Sequence, residues 1–131
     1  MTDLTLTLPL TEWDSLVSRV APFAESASVG IPLLASVRLY EADGRLYAQA
    51  TDRYRIAIAV ARGDAPIPKG LDIVIATSSL ANLARISKAP ARLRKSLAIR
   101  LELAASGSSV KVSLEALPGL GDVIVDVPLV G

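Results

Sequence analysis

Leu4, Leu6 and Leu8 alternate with Thr5 and Thr7, the period-two pattern of a strand with one buried face. The same alternation returns 67 positions later at Leu71, Ile73 and Ile75. Each run meets a hydroxyl suited to capping a helix, Thr11 in the first copy and Ser78 in the second. A helical stripe follows each: Trp13, Leu16, Val17 and Val20, then Leu80, Leu83, Ala84 and Ser87, both spaced i, i+3, i+4, i+7. Two strand-like segments joined by a tight turn come next. The first pair is Leu33 to Tyr40 and Arg45 to Ala50, joined through Asp43-Gly44, a strong hairpin signal. The second is Leu97 to Leu103 and Val110 to Leu114, joined through "AASGSS". A third strand closes each half, Tyr54 to Ala61 and Val123 to Leu129.

The predicted fold is therefore a single α+β domain over residues 1–131, built as β-α-β-β-β twice. Repeat one covers about residues 1–62, a connector 63–70, and repeat two about 71–130. Such repeats can pack as two sheets and two helices about a pseudo-two-fold axis, with both helices on one face and one shared core.

The stretch "ATDRYRIAIAV", Ala50 to Val60, breaks the pattern by placing Thr51, Asp52, Arg53 and Arg55 at the entry of an apolar strand. A solvent-facing strand accounts for Arg53 and Arg55, which share a side, but not for the Thr-Asp pair. A turn or bulge ending the hairpin is one reading of that pair.

Composition narrows the chemistry. About half the 131 residues are apolar but only 4% are aromatic, so the core is built from Val, Ile, Leu and Ala. The absence of Cys and His excludes disulfides, thiol nucleophiles, the usual zinc sites and His-based acid/base catalysis. No catalytic constellation stands out, and no enzyme activity, cofactor or metal is expected. The start "MTDLTLTLPL" lacks the basic and long apolar regions of a secretory leader, and no apolar run approaches a membrane span. The expectation is a soluble cytoplasmic protein without a membrane partner. "RGD" at Arg62 to Asp64 reads as a turn, and "GLG" at Gly119 to Gly121 lacks the rest of a dinucleotide loop.

Net charge is only +1, yet it is unevenly spread. Residues 1–65 carry 6 basic and 8 acidic groups, residues 66–131 carry 8 and 5. Arg85, Lys88, Arg92, Arg94 and Lys95 lie in "RISKAPARLRK" with no acidic residue among them. Arg85 and Lys88 fall off the apolar stripe of the second helix, and Arg19 takes a comparable outward place on the first. A face lined by both helices would present these groups to phosphates without reading bases. A solvated helix end, where cations complement the macrodipole, is the competing account.

The run "IPLLASVRLYEADGRLYAQATDRYRIAIA" followed by "LDIVIATSSLANLARI" resembles the middle domain of the bacterial DNA polymerase III beta sliding clamp. Its most specific element is "ATDRYRIA", similar to the family's Ala-Thr-Asp-x-x-Arg-Leu-Ala, and the likeness covers roughly residues 10–115. Clamp domains also carry the twofold β-α-β-β-β repeat. The resemblance implies a peptide groove formed by Leu34, Thr51, Asp52, Arg53, Tyr54, Arg55 and Ile56, which receives the short motif of polymerases and other replication proteins. In that arrangement Leu34, Ile56 and the Tyr54 ring form the floor, and Thr51 and Arg55 the hydrogen-bonding edges.

The chain departs from the family in holding one such domain where a clamp chain holds three, and in ending "EALPGLGDVIVDVPLVG" rather than in a Phe-Pro-Asp-Tyr type of segment. The implied function is a processivity factor whose copies, six being the natural count, assemble head to tail around duplex DNA. "DVIVDVPLV", Asp122 to Val130, is the expected edge strand of that contact, or an internal strand of the second sheet. The alternative is an interaction module that binds or sequesters replication proteins and never encircles DNA.

Overall fold

In each half of the chain a strand runs straight into a helix. β1 (Leu4–Pro9) continues as α1 (Leu10–Val20), and β5 (Asp72–Ala76) as α2 (Thr77–Ile86). After α1 and a 3-10 turn (Ala21–Phe23) come β2 (Ser36–Ala42), β3 (Arg45–Thr51) and β4 (Ile56–Val60). After α2 come β6 (Ala98–Leu103), β7 (Ser109–Glu115) and β8 (Val123–Pro128). The computed structural model describes residues 4–25, 30–31, 33–63, 65–86, 97–103, 109–115 and 123–130; within them the side chains of 85, 86, 114, 115 and 123–126 are left aside.

The expected helix caps are not used. No side-chain cap bond starts α1, and its flanking residue is Pro9. The N–H of Leu10 instead donates to Leu97 O at 2.9 Å, and that of Thr77 to Ala35 O at 3.0 Å. These two residues stand 67 apart in sequence and complete a ladder bond while opening a helix. A tertiary carbonyl thus satisfies the first amide of each helix, and Thr11 and Ser78, expected as caps, lie inside the helices instead.

Two four-stranded antiparallel sheets result, β1-β6-β7-β8 and β4-β3-β2-β5. Each half lends its first strand to the other half's sheet: β1 pairs with β6 from Leu4↔Leu103 to Pro9↔Ala98, and β5 pairs with β2 from Ser36↔Ala76 to Tyr40↔Asp72. Exchanging the halves maps one strand order onto the other, as a pseudo-two-fold arrangement requires. The exchange ties together one core, in which Leu6, Leu8, Ile99, Leu101, Val110 and Val112 of one sheet join Val37, Leu39, Leu46, Ala48, Ile73 and Ile75 of the other. Leu10, Trp13, Leu16 and Val20 of α1 and Leu80 and Leu83 of α2 complete it. The stripes are narrower than expected: Val17 is half-buried, Ala84 is exposed, and Ser87 lies outside the described residues.

The β2–β3 hairpin turns on two residues with positive φ, Asp43 at 53° and Gly44 at 79°, the pairing that matches strand twist. Glu41 clamps this turn to the connector: its carboxylate accepts Gly44 N–H at 2.8 Å and Gly70 N–H at 3.1 Å. Those two amides hold its pKa below the ordinary carboxylate value. Among the described residues no helix is long and apolar enough to cross a membrane.

Candidate functional site

The polar cluster that interrupts the strand pattern proves to be the loop between β3 and β4. Predicted to begin at Tyr54, β4 begins at Ile56, because residues 52–55 form the loop. Asp52 organises it. One carboxylate oxygen accepts the N–H groups of Tyr54 (3.0 Å) and Arg55 (2.8 Å), and the other takes Nε and Nη2 of Arg55 at 3.2 and 2.9 Å. The backbone N–H of Arg55, its guanidinium and the Tyr54 N–H together draw the Asp52 pKa down to about 2. Thr51 Oγ1 donates to Arg55 O at 2.6 Å and accepts Arg53 N–H at 3.1 Å. Arg53, bracketed by these bonds, sits at φ 80°, a conformation that costs an L-residue energy and persists only where its surroundings impose it.

A second layer holds the loop from below. The Arg53 guanidinium lies 3.7 Å from Glu25, and the Arg55 guanidinium stands 5.3 Å from the centre of the Phe23 ring. Glu25 donates its N–H to Leu34 O at 2.8 Å, and Ser36, the one buried polar residue among the described residues, donates to Leu33 O at 2.5 Å. The segment after α1 thereby brings Leu34 to the 51–56 loop. Phe23 and Glu25 were not legible as site residues, since neither lies near residues 51–56 in sequence.

The seven expected groove residues are gathered at one end of the β4-β3-β2-β5 sheet, but their roles differ from those expected. Thr51 and Asp52 spend their hydrogen-bonding capacity inside the loop. Tyr54 does not form a floor: it is 87% exposed and projects from the loop tip. Ile56 follows it at 59% and Ile58 at 55%, both on the sheet face away from the core. The polar residues are thus a brace that presents three exposed apolar side chains in a row. The turn reading of Thr51-Asp52 and the binding reading of its neighbours are compatible.

The basic face is only partly in view. Lys88, Arg92, Arg94 and Lys95 lie outside the described residues, and of Arg85 only the backbone, within α2, is described. Arg19 is half-buried, with Nε donating to Ser15 O at 3.1 Å and Nη2 to Val60 O at 3.0 Å. It pins α1 to β4.

At the opposite end of β3, a cavity of about 540 Å³ opens between the hairpin turn, α1 and the connector, lined by Leu8, Glu12, Arg45, Leu46, Val60 and Ile67 among others. Glu12 is engaged by the N–H of Gly63 at 2.6 Å, an approach that a Cβ at position 63 would block. Gly63 therefore belongs to a latch between connector and helix, in the "RGD" read as a turn. Asp64 lies outside the described residues.

No protein-family model matches the chain, and no curated protein matches it by sequence. Solved structures do. A structure of the Caulobacter crescentus beta sliding clamp with PEG bound matches at TM-score 0.70 and 20% identity over 98% of this chain and 30% of that one. The DNA polymerase sliding clamp from the same organism matches at 0.70 and 19%, over 97% and 30%. A DnaN sliding clamp from Bartonella birtlesii bound to griselimycin matches at 0.61 and 18%, again over 97% and 30%. The chain spans under a third of the length of these clamps. Its two exchanged sheets and paired repeats have the fold of one domain of a bacterial DNA polymerase III beta sliding clamp.

Proposed function

We propose that this chain is a single-domain, clamp-like processivity factor that makes or breaks no bond. Copies assemble into a ring around duplex DNA, slide on backbone phosphate contacts, and tether a polymerase or another replication protein at Tyr54 and Ile56. The observation that carries the reading is the braced 51–55 loop, which holds Tyr54 and Ile56 out to solvent on a clamp-domain fold. Apolar side chains held rigid and exposed are what a short motif can bury. Phosphate contacts by Arg85, Lys88, Arg92, Arg94 and Lys95 would be sequence-independent, leaving little barrier to sliding. The place of action would be the cytoplasm.

Griselimycin, bound to the Bartonella clamp, serves as the test ligand for this reading. The wild-type chain is expected to bind it, and Tyr54→Ala to weaken that binding at least tenfold; equal affinity would remove Tyr54 from the site. For the ring, the chain should stay on closed circular duplex at moderate salt and leave once the circle is cut. Arg85→Glu with Lys88→Glu should lower DNA retention and leave griselimycin binding unchanged.

The second reading, a non-encircling interaction module, is favoured by Arg19, two of whose guanidinium nitrogens are committed to backbone carbonyls. It expects griselimycin binding with no difference between circular and cut DNA.

A further inference from the structure

The cavity at the hairpin end of β3 has no part in the proposed function, and the strand register explains the charges at its mouth. Tyr47 pairs with Val60 across β3 and β4, and the N–H of Ala61 donates to Leu46 O at 2.9 Å. The same register, carried one residue further, sets Arg45 opposite Arg62 at a position without ladder bonds, where side chains approach most closely. Like charges directly opposite each other on a sheet are unfavourable. The other arginines of this sheet and its loop are each paired: Arg38 with Asp72, Arg53 with Glu25, Arg55 with Asp52. Arg45 and Arg62 are exposed at the cavity wall, and among the described residues neither guanidinium has a partner.

Behind the arginines the cavity is apolar. Leu8 and Leu46 are buried at its base, with Val60, Ala61, Ala65 and Ile67 half-buried around them. Its backbone donors are spent: the N–H of Gly63 goes to Glu12, that of Gly44 to Glu41 and that of Ala61 to Leu46. Glu12 and Asp43 also line it, so the four charges cancel and no net field draws an anion in. Glu12, however, is turned onto the amide of Gly63, and among the described residues neither acid forms an ion pair with Arg45 or Arg62. The donors left for a ligand are the two guanidinium forks. A volume of about 540 Å³ falls within the roughly 300–1,000 Å³ of small-molecule pockets.

We propose that this cavity is a second binding site, for a small amphiphilic anion. A carboxylate or phosphate group is held between Arg45 and Arg62, and a short apolar body lies against Leu8, Leu46 and Ile67. An anion between the two guanidinium groups replaces their repulsion with charge-assisted hydrogen bonds. The apolar body removes the cavity walls, and itself, from water. Arg45 belongs to the hairpin and Arg62 to the start of the connector, so the bound anion joins the two segments and stabilises the folded chain. The site stands apart from the clamp-like reading, because it lies at the other end of β3 from Tyr54 and Ile56.

The test titrates octanoate and octyl phosphate into the full chain by calorimetry, with octanol, octylamine, acetate and inorganic phosphate as controls. At least one of the two amphiphilic anions is expected to bind saturably, the tighter one identifying the head group. All four controls should bind at least tenfold more weakly. Arg45→Gln should lower the affinity at least tenfold; Arg45 is chosen over Arg62 because Arg62 also borders a smaller hollow beside Ser15 and Arg19. Without ligand, this variant should melt no lower than wild type, since removing one of two opposed cations relieves repulsion. Ala65→Phe, which fills the cavity and keeps both arginines, should also lose binding. Failure of both amphiphilic anions to bind would overturn the site, and so would octanol binding as tightly as octanoate. Arg45→Gln with wild-type affinity, or with a lower melting temperature in the absence of ligand, would remove Arg45 from ligand binding and defeat the anion assignment. Acetate matching octanoate, or Ala65→Phe binding as wild type does, would defeat the cavity as the seat of the apolar body.

Discussion

At one edge of the β4-β3-β2-β5 sheet, β5 gives the carbonyl of Val74 to the N–H of Val130, and the end of the chain covers the strand. At the other edge, among the described residues, nothing takes the outward backbone groups of Ile56 and Ile58 or buries their side chains, beside a loop that spends seven hydrogen bonds on its own shape. Both edges belong to one sheet over one core, so the difference does not come from stability. An edge is covered wherever nothing is to dock, because unpaired strand groups invite pairing with other chains. Under the proposed function, the edge left bare, next to a rigid display of Tyr54, is where a partner docks.

The largest test of this contrast compares the two faces of the sheet. Ile75, on the buried face of β5, is fully enclosed. Ile75→Ala is expected to lose about 2–5 kcal/mol of folding stability, whereas Ile58→Ala on the outer face of β4 should change it by under about 0.5 kcal/mol. Urea unfolding of both variants checks this. A comparable loss at Ile58 would mean that its outer face supports the fold and is not reserved for a partner.

A smaller effect comes from opening the covered edge. Val130→Pro removes the N–H given to Val74 O and is expected to cost about 1 kcal/mol. It also leaves β5 bare, so the variant should self-associate more readily than wild type in sedimentation at equal concentration. Unchanged stability and association would show that the Val130 contact covers nothing of consequence.

The smallest effect is a pH dependence confined to the bare edge's loop. The Asp52 pKa is lowered to about 2 in the folded chain from 3.8. Its contribution to stability is therefore complete above about pH 4 and disappears as the pH falls toward 2. Thermal melts should find wild type more stable than Asp52→Asn at neutral pH, with the gap closing over that acid range. A gap that persists at pH 2 would mean that the loop is held by groups other than the carboxylate.

How much of this was legible beforehand depends on how local the cause is. Strand alternation at Leu4 to Leu8, the Asp43-Gly44 turn and the Trp13/Leu16/Val20 stripe follow from period and backbone sterics, which act between near neighbours. All three are found where expected, as is the repeat of strand, helix and three strands. Resemblance drew attention to Leu34 and residues 51–56; Glu25 links the two, bonding Leu34 O and pairing with Arg53. Their roles were not legible. Tyr54 was read as a floor and stands outside; Thr51 was read as an edge and faces into the loop, because Asp52 and the Arg55 carbonyl close the turn around it.

What the chain wrote into its own pattern, then, is the set of elements and their duplication, since spacing of apolar residues and turn chemistry suffice for those. Which strand joins which sheet was decided only in three dimensions. β1 and β5 each cross to the other half's sheet, a choice made by the burial of a shared core rather than by any residue of those strands. The same holds for the positive φ of Arg53, imposed by Thr51, Asp52 and Glu25 together. It holds too for the two sheet edges: a strand's outward groups are defined by its partner's register, and their cover comes from residues far away, Val130 for one edge and Arg19 for part of the other.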